Sequence, residues 1–142
     1  VRNPIALSLA VVLAIAVAFF AGYQSGLRNL HRNDMGQAIV VTGIGMAARA
    51  KIAVATFQSE NGKFPASNEE AGLPAAAQLQ DRYVSSLSVG PQGIITVMYR
   101  GEPTLEGRTL VLTPAVVGGD YAMTWSCSGG TVAAELRPDF CR

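Results

Sequence analysis

Two cysteines, Cys127 and Cys141, are the residues whose type and spacing most directly imply a bond, and thirteen residues separate them. A late, closely spaced pair in a chain that opens on a long apolar segment reads as one disulfide made in an oxidising compartment. Closing a loop of that length is worth about 3 kcal/mol in the chain-entropy account. The plainer alternative is two buried free thiols. A pair of cysteines cannot complete a structural zinc site, and the single histidine, His31, is remote from both in sequence. Standing between Arg28 and Arg32, His31 reads as a solvated helix-face residue rather than a base or ligand. Ser126 and Ser128 flank Cys127 without a base nearby in sequence. Glu69-Glu70 is a candidate cation pair, but two acidic residues opening a helix are favoured by its dipole alone. Gly118-Gly119-Asp120 and Gly129-Gly130 lack phosphate-loop spacing and read as turns. Trp125 is expected in the core beside the disulfide, with an exposed binding role as its alternative. The expectation is a chain with no catalytic set, no metal site and no cofactor.

What must position these residues begins at the other end of the chain. Pro4 to Ala21 is a run of eighteen uncharged residues, with Ser8 as its only polar interruption. As a helix it spans roughly 27 Å, close to the ~30 Å hydrocarbon core of a bilayer. Pro4 suits a first helical turn, where a missing N–H costs nothing. Ile5, Leu7, Leu9, Val12, Leu13, Ile15, Val17, Phe19 and Phe20 make the segment apolar on all sides, so it needs lipid or lipid-like protein around it. Arg2 lies on one flank and Arg28 and Arg32 on the other, so charge does not set the orientation. The cysteine pair does, by placing the C-terminal part outside the cytoplasm. Ala16-Val17-Ala18 also resembles a signal-peptide cleavage site. The apolar run continues through Phe19 and Phe20, which favours retention as an anchor.

Gly22 and Gly26 follow, each costing up to ~1 kcal/mol in a helix, and a bend or local melting is expected there. From Leu27 to Phe57 the pattern turns amphipathic. Leu27, Leu30, Ile39, Val40, Ile44, Ala47, Ala48, Ile52, Val54 and Phe57 recur at three-to-four spacing, with charged and polar residues between them. Gly36, Gly43 and Gly45 weaken this helix, so packing must hold it. Small residues also permit close approach. Asn61-Gly62 ends the helix, and Pro65 lies just beyond. A connecting loop follows, in which Ser67-Asn68-Glu69-Glu70 and Pro74 each open a short turn. The period then drops to two. Tyr83–Val89, Ile94–Tyr99, Arg108–Thr113 and Ala122–Ser126 read as strands, with a tight turn at Gly90-Pro91-Gln92-Gly93 and looser ones at Gly101–Gly107 and Val117–Asp120. The predicted fold class is α+β: one long helix, apolar then amphipathic, packed on a four-stranded antiparallel sheet with a C-terminal disulfide-closed loop. The division expected is 1–26 for the apolar half, 27–60 for the amphipathic helix, 61–82 for the loop and 83–142 for sheet and disulfide region.

With these elements in order, the chain resembles a type IV pilin. Residues Ala50 to Pro65, ending Glu60-Asn61-Gly62-Lys63-Phe64-Pro65, resemble the end of the pilin helix and the start of its connecting loop. Ser67-Asn68-Glu69-Glu70-Ala71-Gly72-Leu73 continues the likeness. Trp125-Ser126-Cys127 and Leu136-Arg137-Pro138-Asp139-Phe140-Cys141-Arg142 resemble the disulfide-bounded variable region. Tyr23-Gln24 matches the family's Tyr-Gln pair offset by one. The start departs from the pattern. Val1, Arg2, Asn3 and Pro4 replace the usual apolar opening, and Pro4 or Ile5 stands where the family has a glutamate. That glutamate, by resemblance, pairs with a neighbour's terminal amine inside the filament; without it, register must come from packing. Gly22 and Gly26 take the helix-weakening role of the family's proline. A leader peptide is expected to have been removed before Val1, or else to be absent if Val1 marks an alternative start.

The resemblance implies a subunit that polymerises through its apolar helix, with copies of itself, the pilus assembly machinery and the membrane as partners. It implies residence in the inner membrane before assembly and in an extracellular pilus afterwards, serving adhesion, twitching motility or DNA uptake. The terminal disulfide, in place of a C-terminal calcium site, points away from the secretion pseudopilins. One alternative is a minor or non-assembling pilin-like protein anchored in the inner membrane, motivated by the polar start. Another is a membrane-tethered extracytoplasmic binding module for DNA or a surface ligand. A net charge of +1 with scattered cations argues against nucleic acid as the primary partner.

Overall fold

The structure, a computed structural model, describes residues 4–118 and 122–142, and of residues 4–10 the backbone alone. Helix α1 runs unbroken over Pro4–Asn61. It ends as expected: Gly62 adopts φ 69°, its N–H donates to the Gln58 carbonyl at 2.9 Å, and the Asn61 amide donates to the Phe57 carbonyl at 2.9 Å. The chain divides by contacts into two units, Val1–Met35 and Gly36–Arg142. The expected amphipathic segment therefore straddles the division, and its sequence pattern begins before its packing does.

Within the second unit, Gly36, Ile39, Val40, Gly43, Ala47, Ala50 and Val54 form the buried stripe of α1. This stripe corrects the expected face. Leu27, Leu30, Ala48 and Ile52 are exposed, and Ile44 and Phe57 are half-buried. The reason is volume. Small residues lie along the middle of the stripe, so a count of large apolar residues tilts the apparent face to one side. Gly36 and Gly43 are contact points: a Cβ on Gly36 would lie 2.9 Å from Leu136 Cδ2, and one on Gly43 would lie 2.3 Å from the Tyr99 hydroxyl oxygen.

The four strands β1 (Val84–Val89), β2 (Ile95–Tyr99), β3 (Thr109–Val117) and β4 (Ala122–Gly130) form one antiparallel sheet in chain order. Val84, Leu87, Ile95, Val97, Tyr99, Leu110 and Leu112 face the helix and are fully buried, joined by Leu105 from the β2–β3 connection. β3 and β4 are longer than expected. Pro114 lies in this extension, paired with Trp125 where β3 no longer pairs with β2, an edge stretch of the kind in which proline is tolerated. Gly129 and Gly130 read as a turn but continue β4 opposite Val111 and Leu110, Gly130 at φ 95°. The expected turn Val117–Asp120 is corrected at Val117, which closes β3; Gly119 and Asp120 lie outside the described residues. Gly90–Gly93 is a tight turn, as expected, and donates the Gly93 N–H to the Pro65 carbonyl at 2.9 Å.

Tyr99 joins the two layers. It is fully buried, and its hydroxyl donates to the Val40 carbonyl of α1 at 2.9 Å. Burial, with a smaller contribution from the Asp81 charge, raises its pKa above the ordinary phenol range.

Two expectations follow for the full chain in detergent, unfolded chemically and followed by Trp125 fluorescence. Gly43→Ala forces a methyl into the Tyr99 ring, so the unfolding free energy should drop by about 1–3 kcal/mol despite alanine's better helix propensity. The raised phenol pKa stabilises the fold below pH about 10; above it, the unfolded chain releases a proton the folded chain keeps, and stability is lost. Tyr99→Phe should flatten that alkaline decline while costing about 0.5–1.5 kcal/mol at neutral pH.

Candidate functional site

Three parts of the molecule bear on function: the apolar half of α1, the connecting loop over β1, and the C-terminal lobe beyond β4. In the first, Val12, Leu13, Ile15, Val17, Phe19 and Phe20 are exposed, as is Val11, so no side of the helix is polar or covered. The side chains of Ile5, Leu7 and Leu9 lie outside the described residues. Among the described residues α1 is the one helix long and apolar enough to cross a membrane. It passes through Gly22 and Gly26 without interruption, and a Cβ at either would meet nothing within 4 Å. Local melting is therefore not a feature of this conformation, and neither glycine is required for close packing within the chain. Beyond them, His31 is exposed and shares a shallow groove with Leu27, Arg28 and Arg32.

The connecting loop is organised by polar side chains. The Ser67 hydroxyl accepts from the Glu70 N–H at 3.1 Å, while a Glu70 carboxylate oxygen accepts from the Ala66 N–H at 2.7 Å. This reciprocal arrangement is the helix-start role expected of that segment. Between them Asn68 is buried against β1. Its amide nitrogen donates to the carbonyls of Pro74 and Leu87 at 2.8 and 3.1 Å, and its side-chain oxygen accepts the Val89 N–H. Because β1 is an edge strand, Asn68 takes the place of a neighbouring strand there.

The lobe mirrors this on the other edge. Cys127 of β4 and Cys141 are joined in a disulfide, with Cα atoms 4.7 Å apart, and both are buried. Between them Arg137 is buried, and among the described residues no carboxylate pairs with it. Its guanidinium donates to the carbonyls of Val132 at 2.9 Å, Gly130 at 3.1 Å and Ser128. Leu136 occupies the notch at Gly36, and the Gln37 amide donates to the Glu135 carbonyl at 2.9 Å. The lobe is thus held by one covalent bond, one buried cation and one apolar plug. Trp125 is half-buried at the core margin with Lys51 Nζ 5.6 Å from its ring centroid, rather than enclosed as expected.

Sequence reasoning found the disulfide and the apolar segment but missed Asn68 and Arg137 as structural ties. The available signal was context: a lone Arg beside Pro138 within a short crosslinked loop has few ways to be solvated and stay rigid. Among the described residues no cluster of His, Cys, Asp or Glu is placed to hold a metal.

A long N-terminal helix, apolar then packed, a meander of four antiparallel strands and a crosslinked C-terminal lobe define the architecture of a pilin-like filament protein. The model of the pilin family, a bacterial filament, matches residues 36–142, and the chain belongs to that family. It is also similar to fimbrial protein EcpC of Eikenella corrodens, 29% identical over 140 residues that cover 94% of this chain and 81% of that protein. The chain is thus a type IV pilin-like structural protein, and an enzymatic role lies outside the family.

Replacing Arg137 tests the lobe. Arg137→Ala leaves carbonyls without their donor and should cost about 2–4 kcal/mol. Arg137→Lys should recover less than half of it, since an ammonium cannot reproduce the planar fork. Chemical unfolding, with limited proteolysis of the segment 131–142, measures both.

Proposed function

We propose that this chain is a subunit of a type IV pilus that polymerises through the apolar half of α1. The observation that carries this reading is a helix half exposed and apolar on every side, in the same chain as a compact, crosslinked head. Before assembly, residues 1–26 span the inner membrane, and residues 27–142 form the head on the extracytoplasmic side. In the filament the surface that faced lipid faces copies of itself. Both surroundings are apolar, so the transfer between them carries no large desolvation penalty. Ile5, Leu7, Leu9, Val12, Leu13, Ile15, Val17, Phe19 and Phe20 are the filament-core residues. Gly22 and Gly26 are the positions where the helix yields, since two glycines lower its local stability without engaging any neighbour. The assembly machinery and the membrane are the further partners, and the mature location is an extracellular pilus serving adhesion, twitching motility or DNA uptake.

A second reading is favoured by one observation: α1 carries no carboxylate before Asp34. Without an acidic partner for a neighbour's amine, the chain acts as a minor or non-assembling subunit anchored in the inner membrane. The tethered binding module has less support, since a net charge of +1 offers little to a polyanion.

Shearing the cells separates the readings. An assembling subunit is recovered in sheared filaments, identified by mass spectrometry and imaged by cryo-microscopy. Recovery only in the membrane pellet supports the anchored form and sinks polymerisation. In the assembling case Leu13→Asp should lower filament yield about a hundredfold, as expected from the ~2.5–3.5 kcal/mol cost of a carboxylate at a helix centre in lipid.

A further inference from the structure

Phe140 is the one large apolar side chain of the C-terminal lobe that faces outward. It is 72% exposed, whereas Val132, Leu136 and Cys141 around it are buried. It is also held firmly: its neighbour Cys141 is crosslinked to β4, and the Cys141 N–H donates to the Pro138 carbonyl at 2.8 Å. A rigid aromatic on a crosslinked turn loses little freedom when covered. On the opposite edge of the sheet lies an apolar crevice of about 110 Å³ between α1 and the connecting loop. Met46, Leu73, Pro74, Leu79 and Leu87 line it, and Arg49 stands at its rim. Its size is comparable to the ~150 Å³ apolar cavity that admits a benzene ring.

We infer that Phe140 of one copy seats in this crevice of a second copy. β4 and β1 are the two edges of the sheet, three strand spacings or roughly 14 Å apart, so the knob cannot fill the crevice of its own chain. A knob on one edge and a hole on the other make a head-to-tail contact, which repeats indefinitely rather than closing on a dimer. The charges agree. Asp139 beside the knob keeps a side chain 94% exposed even while paired with Arg142, so its carboxylate is open to share the rim cation Arg49 of the second copy. Arg142, the other charge of the turn, is engaged with Asp139 at 2.9 Å and with the carbonyls of Ala134 and Arg137 at 3.2 and 3.1 Å. One aromatic buries on the order of 200 Å², far below the ~1,000 Å² a free-standing interface needs. The contact therefore sets register only between heads that their helices already hold at high effective concentration. It rests on the proposed polymerisation.

The test uses the full chain in cells, with the photo-crosslinking residue benzoylphenylalanine substituted for Phe140. After irradiation, sheared filaments should contain a dimer-sized species on denaturing gels, its adduct on a crevice residue of the second copy, Met46, Leu73, Pro74, Leu79 or Leu87, in the tryptic peptides 33–49, 64–82 or 83–100. Adducts confined to other segments, or none in filaments that form normally, overturn the contact and leave the pilus reading standing. Absence of the chain from sheared material overturns both. Arg49→Asp and Asp139→Arg should each lower the adduct yield two- to fivefold, the range of an exposed ion pair, and the doubly reversed chain should restore it. Losses that simply add in the double variant exclude this pairing.

Discussion

The seating of Tyr99 on α1 is the contact on which the head depends. A full aromatic ring from β2 reaches the helix backbone only because residue 43 has no side chain. Val40, the acceptor, and Gly43, the gap, are one helical turn apart, so hydroxyl and ring address the same patch. That spacing sets the distance between helix and sheet. The rest of the stripe follows it: Ala47 and Ala50 keep the same close approach, and larger Val54 appears where Gly93 of the β1–β2 turn makes room. A glycine in mid-helix weakens the element intrinsically, but here the packing it admits outweighs that loss.

Once helix and sheet are joined, the two sheet edges pose the next problem. Unpaired edge strands invite addition of further strands. The head answers with a buried polar side chain at each: Asn68 on β1, Arg137 on β4. Among the described residues no buried side-chain nitrogen or oxygen is left without a partner. Growth through the sheet is thereby discouraged.

Much of this was legible before any coordinates. The all-apolar start, the Asn61-Gly62 stop, the turn at Gly90–Gly93 and the late cysteine pair each rest on local chemistry, and each is found. The buried face of α1 was read correctly at Ile39, Val40, Ala47 and Val54 but tilted elsewhere, because periodicity scores large apolar residues, whereas close packing also selects Gly36, Gly43 and Ala50. Gly129-Gly130 was read as a turn and yet continues β4, because whether a residue ends a strand depends on what its neighbours pair with. Asn68 and Arg137 were missed for a related reason. Nothing local distinguishes a polar residue that will meet a sheet edge from one that stays in water.

The ties that close the head share one chemical property. Arginine keeps its proton at any pH a protein meets, amide and carbonyl groups do not titrate in that range, the Tyr99 phenol stays neutral below its raised pKa, and a disulfide neither gains nor loses protons. Acid unfolding usually proceeds by protonating carboxylates that the native state holds ionised. In this head three carboxylates accept backbone N–H groups, all in connecting segments: Asp81 from Tyr83 and Val84, Glu70 from Ala66, and Glu106 from Gly101. The bonds that join helix to sheet and that cover the two sheet edges are thus ones that acid does not protonate.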